Sequence, residues 1–202
     1  MYKRQLWAPV NPGTHAALAG SNIVCNLSAS NELVSKADYR EDLVRMTSAK
    51  SFCAYVYAGA GVMESTKDVV FGGHCLIAEA GQLLAQSKRF ELSPQAVIGD
   101  VDLQRLQHDR AQNTTFAQMP RPRAYRIVQA DTKLPALTNL HRQYSKQPFV
   151  PEDENEFSAR AQEILQIQAT GLARRMLAAK TERLVIGLSG GLDSTLAFLV
   201  AK

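Results

Sequence analysis

The sequence predicts an α/β chain in two parts: a sandwich of mixed sheets, then the opening elements of a parallel α/β domain. Three observations predict this. Residues 41–90 read as helix, strand, strand and hairpin, with one more short apolar strand at residues 23–27. From His108 onward, prolines and polar residues break the pattern, and a long helical period follows. Residues 184–194, LVIGLSGGLDS, run from an apolar stretch through a glycine-rich loop to a helix start.

The elements follow in order. Residues 7–13, WAPVNPG, carry two prolines and a glycine and predict a loop. Thr14 is positioned to cap a short helix that Gly20 ends. Residues 37–52 form the clearest helix of the first part, with Leu43 and Met46, together with Ala54 beyond its end, assigned to an inward face. Tyr55-Val56-Tyr57 reads as a strand. Residues 69–71 and 75–78 read as paired β segments around Gly72-Gly73. Glu79-Ala80-Gly81 is a turn, with residues 83–85 returning from it. Residues 97–103 alternate apolar and polar and predict one more strand, and residues 125–128 another. Arg121, Pro122, Arg123, Arg126 and Pro135 mark a solvated connection. Pro148-Phe149 begins a new unit, and residues 157–179 form a long amphipathic helix with Ile164, Ile167, Leu172 and Leu177 among its apolar positions. Gly171 inside it costs about 1 kcal/mol against alanine, which suggests close packing there. The domains expected are residues 1–147 and 148–202.

Composition bounds the function. Hydrophobic residues make up 46% and charged residues 21% of 202, as in ordinary globular proteins. A net charge of +4 without a Lys/Arg run gives no footprint for nucleic acid. No apolar stretch reaches membrane-spanning length and no signal peptide is visible, so a cytoplasmic protein is expected. The three cysteines, Cys25, Cys53 and Cys75, are odd in number and lack CxxC spacing, which points away from disulfides and zinc. Cys25 is expected to be a buried core thiol. His74 and Cys75, adjacent on a strand, point to opposite faces and form no dyad.

The 184–194 stretch carries the chemistry. A glycine-rich strand-to-helix turn points backbone N–H groups toward an anion at the positive end of a helix. It is not a Walker A loop, because the lysine is missing and Asp193 stands near its place. An aspartate beside a polyphosphate calls for a divalent cation between them. The expected site is Gly187, Leu188, Ser189, Gly190, Gly191, Leu192, Asp193 and Ser194 for ATP, with Asp193 facing Mg²⁺. The alternative is a plain strand-turn-helix corner with Asp193 as its N-cap.

SGGLDS resembles the pyrophosphate loop of the N-type ATP pyrophosphatases. NLSASN (residues 26–31), KADYRE (36–41), AYVYAGAG and ESTKDVVFGGHCLIAEAG (64–81) resemble the glutaminase domain of glutamine-dependent NAD⁺ synthetase, in the nitrilase superfamily. PFVPEDENEFSARAQEILQIQATGLARRM, leading into VIGLSGGLDSTLAFLV, resembles the same family's junction and first synthetase strand. The resemblance implies a partial nitrilase-type α-β-β-α sandwich followed by the start of a doubly wound parallel-sheet ATP pyrophosphatase domain. It implies glutamine hydrolysis feeding ammonia to an ATP-dependent amidation of deamido-NAD⁺, small-molecule partners and a homo-oligomeric parent. It places Ser30 and Lys36 in the glutamine pocket and Trp7 along its wall, and it leaves Glu64 and His74 as supporting residues.

In that family a Glu, a Lys and a Cys hydrolyse the amide, and the Cys lies in a C-E-D-[LMW]-[WF] segment. Here Leu6-Trp7 match its end, but Lys3, Arg4 and Gln5 stand at the Cys, Glu and Asp positions. No catalytic residue of that triad is therefore assigned. Lys202 lies one to two turns into the helix after the loop, and one strand cannot cover both faces of a parallel sheet. A fragment without glutaminase activity is expected. The alternatives are a nitrilase-type amidase unconnected to NAD and a non-catalytic scaffold.

Overall fold

The structure is a computed structural model. It describes all residues except 1–5, 65–67, 121–123, 131–136, 148–149 and 152. Lys3, Arg4, Gln5, Arg121, Pro122, Arg123, Pro135 and Pro148-Phe149 therefore lie outside the described residues. The chain divides into two compact units, residues 1–143 and 144–202.

The first unit opens with helix α1, Pro12–Leu18, which has proline in its first turn. Its cap is Asn11 rather than Thr14: the Asn11 Oδ1 accepts from the Gly13 N–H at 2.8 Å. Proline at the first helical position supplies no N–H, so the capping register sits earlier than the threonine suggests. Strand β1, Ile23–Ser28, and helix α2, Lys36–Lys50, then lead to strand β2, Ala54–Gly59, which is parallel to β1. This βαβ crossover is the only way a chain can place two successive strands parallel with a helix over them. A 3₁₀ turn, Val62–Glu64, follows.

Strands β3, Cys75–Glu79, and β4, Gln82–Gln86, form an antiparallel hairpin that completes a sheet in the order β1-β2-β3-β4. The hairpin turns on Ala80 and Gly81, both at positive φ. Helix α2 clasps that turn. Gly81 N–H donates to Ser48 Oγ at 2.9 Å, and Arg45 Nε donates to the Gly81 carbonyl at 3.0 Å.

The core lies between α2 and one face of the sheet. Register pairs Val24 with Tyr55, Asn26 with Tyr57, Tyr57 with Leu76 and Tyr55 with Ala78, and all these residues are buried. From α2 the buried side chains are Ala37, Arg40, Val44 and Ser48, a one-face spacing. Met46, expected inward, is exposed because it lies off that stripe, and Leu43 is only half-buried. β1 alternates exposed and buried, so Cys25 is exposed, against expectation. An apolar run is not a buried run when only one face of the strand is covered.

Three further expectations change. Residues 69–71 form no strand. Residues 97–102 are irregular, and Leu103–Gln112 is a helix, α3, capped by Asp102, whose Oδ1 accepts from the Arg105 N–H at 2.9 Å. A short helix, α4, Thr114–Ala117, follows. Residues 125–128 are irregular. Helix α3 is tied to the rest of the unit through Arg110, which donates to the carbonyls of Phe52 at 3.0 Å and Ser21 at 2.5 Å and to Asn22 Oδ1 at 3.1 Å.

The second unit contains helix α5, Glu154–Ala179, and helix α6, Leu192–Ala201. Asp153 caps α5 by accepting from the Glu156 N–H at 2.9 Å, and Lys180 closes it at positive φ. A side chain at Gly171 would meet nothing within 4 Å, so this glycine marks no close contact. Residues 184–186, expected as a buried strand, are irregular, and Val185 is fully exposed. No strand occurs among the described residues of this unit, and a strand needs a neighbour to satisfy its N–H and C=O groups. No helix among the described residues is long and apolar enough to cross a membrane.

Candidate functional site

The parallel strands β1 and β2 end side by side at Ser28 and Gly59. The chain leaving β1 runs through the half-buried Ser30 and then Asn31 and Glu32, and Lys36 is the first residue of α2. Ser35, at positive φ, turns the chain into that helix.

Asn31 and Trp7 gather around the Lys36 ammonium. Lys36 Nζ donates to the Asn31 carbonyl at 2.6 Å and to Asn31 Oδ1 at 3.3 Å. It also lies 5.0 Å from the centre of the Trp7 ring, a cation–π distance. Trp7 in turn packs against Tyr39 with centroids 5.5 Å apart. The Trp7 indole Nε1 is buried without a hydrogen-bond partner. A fixed ammonium beside an aromatic wall and an unused N–H donor suits a small carboxylate-bearing molecule. Trp7 and Lys36, which the family resemblance places in one pocket, lie against each other. Ser30 is carried on the same loop.

Behind this loop lies a buried polar network, of which the sequence singled out only His74. Arg40 Nη2 is 2.9 Å from Glu32 Oε1, both side chains being almost wholly buried. Arg89 Nη1 approaches the other Glu32 oxygen at 3.5 Å. Arg40 Nη1 also reaches His74 Nδ1 at 3.0 Å. Burial is the main cause that lowers the His74 pKa; the Gln86 hydrogen bond opposes it and the Arg40 and Arg89 charges add to it. Glu64 accepts from the Gly61 N–H at 2.9 Å and so closes its own turn.

Cys53 is a poor nucleophile as placed. Burial pushes the Cys53 thiol up to about 11, against a smaller opposing effect of Arg110. No group of three or more His, Cys, Asp or Glu side chains among the described residues is arranged to hold a metal ion.

In the second unit, Gly187 to Ser194 span the end of an irregular segment and the first turn of α6. Gly190 adopts φ +80°, a conformation that glycine reaches without steric cost. Gly191 is the N-cap of α6 and gives the helix no side-chain cap. Hydroxyls bracket the loop: Ser189 Oγ and Ser194 Oγ are 3.2 Å apart, and Ser194 and Thr195 donate to the Gly191 carbonyl at 3.0 and 2.9 Å. Asp193 sits in the first turn of the helix but is not its N-cap, which is Gly191, so the capping role expected for it in the alternative reading falls to the glycine. Leu188 and Leu192 are exposed.

No protein-family model matches the chain. It is 38% identical over 202 residues to the glutamine-dependent NAD(+) synthetase of Mycobacterium tuberculosis, covering 97% of this chain and 30% of that protein. Among solved structures, a glutamine-dependent NAD(+) synthetase from Cytophaga hutchinsonii is 30% identical, with a TM-score of 0.38 over 41% of this chain and 14% of that one. A carbon-nitrogen hydrolase from Helicobacter pylori is 18% identical, with a TM-score of 0.45 over 58% of this chain and 43% of that one. Neither superposition is close enough to carry weight by itself. The chain spans about 30% of the length of the curated relatives it matches. Along nearly its whole length, the chain is related to a stretch of the glutamine-dependent NAD(+) synthetases.

Proposed function

We propose that this chain supplies two sites of an enzyme that uses ATP to amidate deamido-NAD⁺ with ammonia drawn from glutamine. The observation that carries the reading is the pairing on one chain of an SGGLDS loop at a helix N-terminus with a Lys36–Trp7–Asn31 pocket.

In the first unit, Lys36 takes the α-carboxylate of glutamine and Ser30 its ammonium, while Trp7 walls the pocket. The part read here for this unit is glutamine binding.

In the second unit, the backbone N–H groups of Gly190, Gly191 and the first turn of α6 hold the pyrophosphate of ATP, with the hydroxyls of Ser189 and Ser194 beside them. Asp193 faces the Mg²⁺ that accompanies the nucleotide. The nicotinate carboxylate attacks the α-phosphorus, pyrophosphate leaves onto the loop, and ammonia displaces AMP from the acyl adenylate. A carboxylate is a poor electrophile, so adenylation and stabilisation of the leaving charge are what the loop contributes. The enzyme of which these units form part is homo-oligomeric and cytoplasmic.

The test is an assay of the whole gene product for NAD⁺ formation. ATP-dependent conversion of deamido-NAD⁺, supported by glutamine or by free ammonia, is expected. Amide hydrolysis that ignores both ATP and deamido-NAD⁺ points to a nitrilase-type amidase instead.

A further inference from the structure

The Lys36 ammonium is fixed by Asn31, and Asn31 sits directly before a carboxylate that is itself constrained. Glu32 is held at three points. Its N–H donates to the Val70 carbonyl at 2.7 Å. Its carboxylate lies 2.9 Å from Arg40 Nη2 and 3.5 Å from Arg89 Nη1. Its side chain lies over Gly72, where an added Cβ would clash with Oε1. Arg40 is itself immobilised: it is 1% exposed, follows Lys36 by one helical turn, bonds His74 and lies 5.9 Å from the centre of the Tyr57 ring. Hydrophobic replacements of similar volume for a buried ion pair are often no less stable, so the pair is weak evidence for stability, and in some proteins such a pair specifies a geometry instead.

We propose that the Glu32–Arg40 pair is a positioning pair: by pinning the 30–35 loop to α2, it holds the Asn31 carbonyl where it orients the Lys36 ammonium for a ligand carboxylate. The ligand, free glutamine, rests on the reading given under Proposed function. Neither residue touches the ligand. Glu32 acts through the backbone of its neighbour, and Arg40 acts through Glu32.

Trp7 is the only tryptophan of the chain, so its emission reports the Lys36 contact without a label. The experiment compares the 202-residue chain with E32Q, the paired variant E32Q/R40M, and R110M, which disturbs α3 instead. Each is titrated with L-glutamine and followed by Trp7 emission, and each is melted. The expected result is shifted resting emission and at least tenfold weaker glutamine binding in E32Q, with emission unchanged in folded R110M. The paired variant removes both buried charges together, so it recovers the melting temperature if E32Q alone fails to fold. It is expected to keep the shifted emission. Emission and affinity like those of the parent chain in a folded E32Q or paired variant overturn the proposal. Shifted emission with no response to glutamine in any chain, including the parent, supports the positioning of Lys36 and overturns glutamine as its ligand.

Discussion

Arg40 donates its Nη1 proton to His74 Nδ1 at 3.0 Å. A guanidinium has no acceptor, so Nδ1 is bare and the ring proton sits on Nε2, 3.4 Å from Gln86 Oε1. The histidine is therefore built into the fold as a neutral ring beside two cations, Arg40 and Arg89, with Glu32 balancing them.

This arrangement sets a pH dependence. Burial lowers the folded pKa of His74 below its ordinary 6.5. Between the two values the unfolded chain holds more protons, so stability rises with pH across that window. The contribution is fully present above 6.5 and is lost as pH falls toward the folded value. Urea denaturation across this range should show the slope, and H74Q should flatten it. An identical slope in H74Q would contradict the assignment.

Arg110 holds α3 against the turns that lead into the paired starts of β1 and β2, by hydrogen bonds to Ser21, Asn22, Phe52 and, at 3.4 Å, the Ser51 carbonyl. R110M leaves those acceptors without their charged donor. A loss of about 2–4 kcal/mol is expected, read as a lower denaturation midpoint. A loss within about 0.5 kcal/mol, the ordinary range for a surface change, would mean that α3 is held by Leu106 alone.

Tyr55 donates nothing to solvent. Its hydroxyl accepts from Asn26 Nδ2 at 2.8 Å and lies 3.5 Å from Asn11 Nδ2. Asn26 Oδ1 already has no partner. Y55F therefore strands a second buried polar group and is expected to cost about 1–3 kcal/mol. Thermal melting of Y55F beside the parent chain measures it, and an unchanged melt would show that the phenol is not needed.

The thiols should separate by reactivity. Cys25 is exposed, whereas Cys53 is buried and its pKa is raised to about 11. Iodoacetamide at neutral pH, read by peptide mass spectrometry, should modify Cys25 first and Cys53 only after denaturation. Early labelling of Cys53 would contradict its placement in the core.

The frame of the first unit was legible where local signals agree. Tyr55-Val56-Tyr57 has β-branched and aromatic side chains, and Ala80-Gly81 is turn chemistry between two short apolar runs, so β2 and the β3–β4 hairpin follow from residue type. Helix α3 was not legible. Residues 97–103 alternate like a strand, but the helix that begins at Leu103 buries only Leu106 and depends on Asp102 and Arg110 for its ends. The run at residues 184–186 fails for another reason: an apolar triplet pairs only if a partner strand is present, and none occurs among the described residues of that unit.

Of the residues around the Lys36 ammonium, Trp7 and Lys36 could be named only through the family resemblance, since residue type alone favours a core aromatic and a solvated lysine. Asn31 contributes through its backbone carbonyl, which no side chain announces. Glu32 and Arg40 look like solvated charges in the sequence, and only the long-range contacts with Arg89, His74 and Val70 reveal that they are buried.

The most direct measurement of the central claim is an amide NMR titration of the ¹⁵N-labelled chain with Mg²⁺ and pyrophosphate, then with Mg²⁺ and ATP. Saturable shifts should concentrate on the N–H groups of Gly190, Gly191, Leu192, Asp193 and Ser194 with both ligands, and D193N should weaken the Mg²⁺-dependent part. Shifts that gather elsewhere while those five amides stay still would contradict the account.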